Sequence, residues 1–207
     1  MKKTLTAISL FLLMATAQLA NSQIHFGFQV TGANINVPKP LNEIYGFGYG
    51  GGVHLDFSLP VLFAFRLQGD YVRFSADQGK YQQLLSSLVG GRAATDFSID
   101  GGSISVWSAN ANVKSSFLPL PIISPYFTGG AGLANLSAAD ATVKYQNQPV
   151  PGGTIPGVKG ETNFSANVGA GVDLKLGIEL YIEARYTWIF TSGETSTYIP
   201  VSIGITL

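Results

Sequence analysis

The 207-residue chain carries 12 Lys+Arg against 12 Asp+Glu, contains no cysteine, and is 46% hydrophobic but only 12% charged. The lack of any net positive charge argues against a nucleic-acid partner, which would want a basic stripe, and the lack of cysteine excludes a lipoprotein anchor, a disulfide framework and a thiolate metal site. An ordinary soluble domain is about 25% charged, so these few charges could hardly cover a soluble shell of this size.

Lys2 and Lys3 precede an apolar run from Leu5 to Leu19, and Ala20 and Ser22 place small residues before a cut ahead of Gln23. Residues 1–22 therefore read as a cleaved Sec signal peptide, the run being shorter than the ~20 apolar residues that a retained spanning helix needs. Residues 23–207 are expected to form one domain, with nothing appended after Leu207.

The first expected strand, Gln23 to Asn34, turns Ile24, Phe26, Phe28 and Val30 one way and His25, Gly27, Gln29 and Thr31 the other. After a turn-rich stretch at 36–42 comes the segment on which the reading rests, Ile44 to Leu59. Tyr45, Phe47, Tyr49, Val53, Leu55, Phe57 and Leu59 share one face, and Gly46, Gly48, Gly50, Gly52, His54, Asp56 and Ser58 the other. Such alternation marks a β-strand, and about 16 residues at roughly 3.3 Å each suffice to cross a bilayer at a tilt. Glycine packs poorly in a strand. It makes sense inside a narrow closed barrel, where space is short.

The third strand, Val61 to about Ser75, sends Phe63, Phe65, Leu67 and Tyr71 outward and Arg66, Gln68 and Asp70 inward. Residues 76–95 read as a long loop with a helical turn at Tyr81 to Leu88. In the fourth strand, about Asp96 to Phe117, Ile104 and Val106 are out of phase with Trp107, Ala109, Ala111 and Val113, which predicts a bulge near Val106-Trp107. Asn110, Asn112 and Lys114 then point inward. A proline-rich turn at 118–125 leads to the fifth strand, Tyr126 to about Ser137, and a second long loop spans 138–161. The sixth strand points Asn167, Gly169, Gly171, Asp173 and Lys175 inward. The seventh does the same with Glu179, Glu183 and Arg185, and the eighth, Thr197 to Leu207, turns Ile199, Val201, Ile203, Ile205 and Leu207 outward. Connections after odd strands are longer or polar and those after even strands are short, the asymmetry of extracellular loops and periplasmic turns. The expected fold is all-β, an eight-stranded antiparallel up-and-down transmembrane β-barrel with periplasmic termini.

The segments PYFTGGAGL at 125–133, NVGAGVDLKL at 167–176, ELYIEARYTW at 179–188 and VSIGITL at 201–207 resemble the small eight-stranded outer-membrane barrels, the family of the transmembrane domain of outer membrane protein A and the opacity-type and "porin family" proteins. The resemblance covers essentially the whole mature chain. It implies residence in a Gram-negative-type outer membrane, outer-membrane lipid as surroundings, and the barrel-assembly machinery as partner during insertion. Family members often end in an aromatic residue, whereas this chain ends in Leu207.

Alternation places Arg66, Asp70, Lys114, Asp173, Lys175, Glu179, Glu183 and Arg185 inside as a lumen charge network. Arg66 and Arg185 are expected to pair with Asp70, Glu179 or Glu183, since buried charges must be paired or hydrated. Two readings of this set stay open, a structural plug and a narrow gated pore. His25, His54 and Asp56 are read as polar lumen fillers, although the two histidines with Asp56 could also supply part of a metal site. Neither His25-Phe26 nor His54-Leu55 provides the adjacent serine of a lipid-facing hydrolytic pair, so neither catalysis nor a cofactor is expected. Phe26, Tyr45, Phe57, Phe63, Trp107, Phe117, Tyr186 and Trp188 are assigned to lipid contact and interfacial girdles. The alternative to that assignment, a soluble β-sandwich core, would expose a face made largely of glycine. Function is expected as a surface-interaction role through loops 76–95 and 138–161 of a monomeric barrel. The alternative is a small porin passing ions or small solutes.

Overall fold

The computed structural model describes residues 24–36, 45–59, 62–89, 96–118, 120–146, 148–193 and 195–207. The expected signal peptide at 1–22 and most of the 36–42 turn lie outside them. The described elements are β1 (Ile24–Asn36), β2 (Tyr45–Ser58), β3 (Phe63–Ala76), α1 (Gln78–Val89), β4 (Phe97–Gly101), β5 (Ile104–Ser116), β6 (Ile123–Ala138), β7 (Ala141–Tyr145), β8 (Gln148–Ile155), β9 (Val158–Lys175), β10 (Glu179–Phe190) and β11 (Thr195–Thr206). Eight strands close into an antiparallel barrel in the order β1-β11-β10-β9-β6-β5-β3-β2. The seam between first and last strand is sealed at its end by Phe26 and Leu207, which exchange N–H···O bonds of 3.2 and 2.8 Å. The short connections gather at one end of the barrel, with the ends of β1 and β11 beside them. The long ones gather at the other.

Period two survives folding as a division between lumen and exterior. Val30, Tyr49, Trp107 and Ile203 are each more than half exposed, whereas Thr31, Gln68, Asn112 and Ser202 are buried. The inward glycines have a specific use. His54 pairs across strands with Gly27, Asp70 with Gly52 and Phe74 with Gly48. Asn112 pairs with Gly130, Tyr126 with Gly171, Arg185 with Gly169 and Tyr181 with Gly204. In each pair a Cβ on the glycine would collide with the larger partner's own atoms or with its backbone. Large inward side chains thus lie over glycines, and the narrow lumen is filled in register. Gly204→Val should push the Tyr181 ring aside and cost about 1–3 kcal/mol, the usual range for overpacking, read as a lower urea midpoint of the refolded barrel.

Three sequence expectations are corrected. The expected bulge at Val106-Trp107 is absent, since β5 keeps one register with β3 and β6 throughout. Ile104 and Val106 keep the phase of Asn110 and Asn112 and simply face inward. The bulge lies instead in β2, where the pairing slips between Tyr45↔Ala76 and Gly48↔Phe74. One extra residue there reverses the side of everything before it. Tyr45 is therefore not lipid-facing: it is buried, and its hydroxyl donates to the Gly102 carbonyl at 2.6 Å. The third correction concerns the loops. The expected fourth strand breaks at Gly101 and Gly102, both at positive φ, and its first part leaves the barrel as β4. That strand joins β7 and β8 in a separate three-stranded sheet, order β4-β7-β8, so 138–161 is largely strand.

Candidate functional site: a two-tier lumen and a built headpiece

The middle of the lumen is a charged tier. Arg66, 1% exposed, donates from Nε to Asp56 Oδ1 at 2.6 Å and from Nη2 to Asp56 Oδ2 at 2.7 Å, the bidentate geometry that makes such pairs strong. Its Nη1 stands 3.7 Å from Glu183 Oε2, and its guanidinium lies 4.8 Å from the Tyr181 ring centre. Glu183 Oε2 also accepts from the Tyr126 hydroxyl at 2.9 Å. Arg185 Nη2 donates to Asp70 Oδ2 at 3.3 Å, and Asp70 Oδ1 accepts from Gln29 and Gln68 as well. Lys114 Nζ is 2.7 Å from Asp173 Oδ2 and 3.8 Å from Glu179 Oε1, above the Tyr126 ring at 4.1 Å. Asp56, not foreseen as a partner of Arg66, is its main one.

His54 is 1% exposed. Its Nδ1 lies 3.3 Å from the Tyr181 hydroxyl, which itself donates to Gln29 Oε1 at 2.5 Å. Nδ1 must then be the donor, and Nε2 accepts from Thr206 Oγ1 at 3.2 Å. The ring is fully engaged with groups that are not metal ligands. Among the described residues no group of three His, Cys, Asp or Glu is placed to hold a metal. The network is imperfect: Arg66 Nη1, Gln68 Oε1, Asn112 Nδ2 and Asn167 Oδ1 make no hydrogen bond. Glu183 Oε1 makes none either, although it stands 3.0 Å from Arg185 Nε. The contact is Coulombic, with the N–H misdirected.

Toward the long loops the lumen turns apolar. Ala33, Tyr45, Val72, Phe74, Ile104, Val106, Ala134, Ile189 and Tyr198 form one buried cluster, with Phe74 and Tyr198 edge to face at 6.5 Å. Toward the short turns it opens into a cavity of about 360 Å³ lined by His25, Asp56, Lys114, Asp173, Lys175 and Glu179 among others. His25 is half-buried there. Lys175, expected inside, is exposed at the mouth, because it is the last residue of β9 and its stem reaches water.

The two long loops, distant in sequence, build one headpiece. Tyr81 of α1, Ile99 of β4 and Ala141 of β7 share a small buried core. Gln78 of α1 receives the Ile99 N–H on Oε1 at 3.1 Å and donates to the Ile99 carbonyl from Nε2. One glutamine thus occupies the free edge of β4 as a strand would, blocking edge pairing. The other edge, β8, carries Pro149 and Pro151 and a register slip, which also blunts it. On the sheet, Lys144 lies 2.7 Å from Asp100 and holds that exposed carboxylate below its usual range. Tyr81→Ala should remove the anchor of α1, so that limited proteolysis cuts the 76–95 segment at least tenfold faster, the factor equivalent to about 1.4 kcal/mol of local opening, while the barrel stays resistant.

Phe26, Phe63, Trp107, Phe117 and Tyr186 are exposed on the outer wall, and Phe57 and Trp188 are half-buried there. Tyr186 pairs with Trp188 at 4.7 Å, and Phe117 and Trp107 pair with two further wall aromatics, Phe127 at 4.9 Å and Tyr71 at 4.5 Å. A continuous outer surface of this kind belongs in lipid.

The chain is similar in fold to the crystal structure of Neisserial surface protein A, with a TM-score of 0.55 at 14% identity over 90% of this chain and 98% of that one. Ail, the attachment invasion locus protein of Yersinia pestis, matches with a TM-score of 0.47 at 12% identity over 89% and 97%. The N-terminal β-barrel domain of Pseudomonas aeruginosa OprF matches with a TM-score of 0.44 at 12% identity over 90% and 100%. No protein with a curated description matches the chain in sequence at a significant level. The sequence model of the outer membrane protein beta-barrel domain family, in contrast, matches residues 4–205, and with the closed eight-stranded barrel this identifies the chain as a member of that family.

Proposed function

We propose that the protein is a closed outer-membrane barrel that acts through its headpiece, presenting the surface built by α1, β4, β7 and β8 to partners outside the cell. The observation that carries the reading is the pairing of a lumen filled by two unlike tiers with loops that are folded rather than slack. A conducting pore has no need of a folded sheet and helix above it, whereas recognition on a rigid scaffold does. The charge set Arg66, Asp70, Lys114, Asp173, Glu179, Glu183 and Arg185 acts here as a structural plug, with Asp56 as an eighth member and Lys175 outside it. On this reading the leader 1–22 is removed, the barrel is inserted by the assembly machinery as a monomer, and its termini and the His25–Lys175 cavity face the periplasm. No catalytic role is assigned.

The test pairs a measurement on refolded protein with one on cells that display it. The wild type should pass no resolved current in a planar bilayer. The intact protein should confer adhesion on cells that display it, and a variant with 139–157 replaced by a short turn should still shift in heat-modifiable gel mobility yet confer none. Steady wild-type openings would favour the small-porin reading, and undiminished adhesion would remove the headpiece from the function.

A further inference from the structure

The outer wall carries one feature that neither the lumen nor the headpiece uses. On the loop-side half of β3, Arg73 points away from the lumen and is exposed, as is Ser75 two residues on. Arg73 lies across from Tyr49 of β2 and from Ser105 of β5, and Ser105 lies across from Ser137 of β6. The β6–β9 register slips between Leu136↔Glu161 and Ala138↔Val158, leaving exposed Lys159 at the end of the same row. The row therefore holds two cations, two serine hydroxyls and the exposed Tyr49 ring, and no Asp or Glu shares it. Among the described residues the Arg73 guanidinium has no ion pair or hydrogen bond. One step toward the short turns the wall becomes aromatic and apolar. Tyr71 and Trp107 are stacked at a tilt there, and the Tyr71 hydroxyl is 3.2 Å from Ser105 Oγ.

The position of this row decides what it meets. Aromatic girdles sit at the level of lipid headgroups, so a guanidinium set beside Tyr49, Tyr71 and Trp107 stands among those headgroups, not in hydrocarbon. A planar fork of donors without a carboxylate partner matches a phosphate. We propose that Arg73, with Ser105, Ser137 and Lys159, forms a binding site on the outer wall for the phosphate of an anionic lipid in the loop-side leaflet. The site rests on the membrane placement of the barrel and is independent of the headpiece reading.

The chain has two tryptophans, and Trp107 lies on β5, the strand next to Arg73 on β3, while Trp188 on β10 lies four strands from Arg73 in either direction around the barrel. This makes the site readable by quenching. Trp188→Phe protein is refolded into phosphatidylcholine bilayers containing a small fraction of dibromo-acyl phosphatidic acid, or the same brominated chain on phosphatidylcholine. Phosphatidic acid should be enriched around Trp107 about fivefold over phosphatidylcholine, the factor one basic residue contributes near a charged headgroup. Arg73→Gln should abolish the preference, and Trp107→Phe protein, reporting through Trp188, should show none. Arg73→Gln leaves the lumen and the girdle untouched, and unchanged heat-modifiable mobility verifies that the barrel is folded. Equal quenching by the two lipids, a preference that survives Arg73→Gln, or the same preference at Trp188 would each overturn the proposal.

Discussion

Arg66→Ala is expected to lower the unfolding free energy of the refolded barrel by about 3–5 kcal/mol, the usual penalty for removing one partner of a buried ion pair. The loss is larger than the contacts alone suggest. Glu183, 1% exposed, would keep Arg185 and Tyr126, whereas Asp56, 4% exposed at the inner end of the turn-side cavity, would have no other cation within ion-pair distance among the described residues. Urea titration in lipid vesicles, followed by gel mobility, reads the effect as a drop in midpoint. Replacing both partners together by apolar residues of similar size, Arg66→Met with Asp56→Leu, should restore most of the loss, because the penalty arises from the orphaned charge. If Arg66→Ala alone costs less than about 1 kcal/mol, comparable to an exposed pair, the charged tier is hydrated and open, and the plug reading fails with it.

That pair also shows what the sequence could and could not reveal. Asp56 and Arg66 face each other directly across β2 and β3, joined by a short connection, so counting back from the hairpin would have matched them. Considering only which charges point inward leaves the partner undetermined. Alternation made the barrel and its faces legible because lipid imposes period two on the outer wall of every strand, and the inward glycines at 27, 48, 52, 169 and 171 were visible in it, whereas those at 130 and 204 were not picked out. Their pairing with specific large residues was not, since cross-strand register depends on turn geometry. Tyr45 was misplaced for a related reason: a bulge is a property of two strands, and nothing in IYGFGYG alone says which residue is extra. Ile104 and Val106 suggested a phase change only because a lumen was assumed polar throughout. The headpiece strands escaped notice because they are short, are stabilised by pairing between segments some 40 residues apart, and contain Pro149 and Pro151 at an edge where proline is tolerated.

The apolar tier leads to the second large effect. On the closed-barrel reading proposed above, the two tiers are closures in series, so relieving one leaves the current set by the other. Asp56→Ser with Arg66→Ser removes both charges of the central pair, yet Phe74, Ile104, Val106 and Tyr198 still form a dry constriction, which water and ions do not cross. Phe74→Ala with Tyr198→Ala empties that constriction, yet the bidentate Arg66–Asp56 pair still spans the middle. Each double variant should therefore be as silent as the wild type in a planar bilayer, and the quadruple variant should open steady channels, a change from baseline to resolved current. Molecules counted in each case are those shown by gel mobility to be folded. Current through Asp56→Ser/Arg66→Ser alone would mean that the apolar tier does not seal, and the charged pair would become the gate of a small porin. Silence of the folded quadruple variant would place the seal elsewhere, with Arg185, Asp70 and the Gln29–Tyr181–His54 chain that surrounds them.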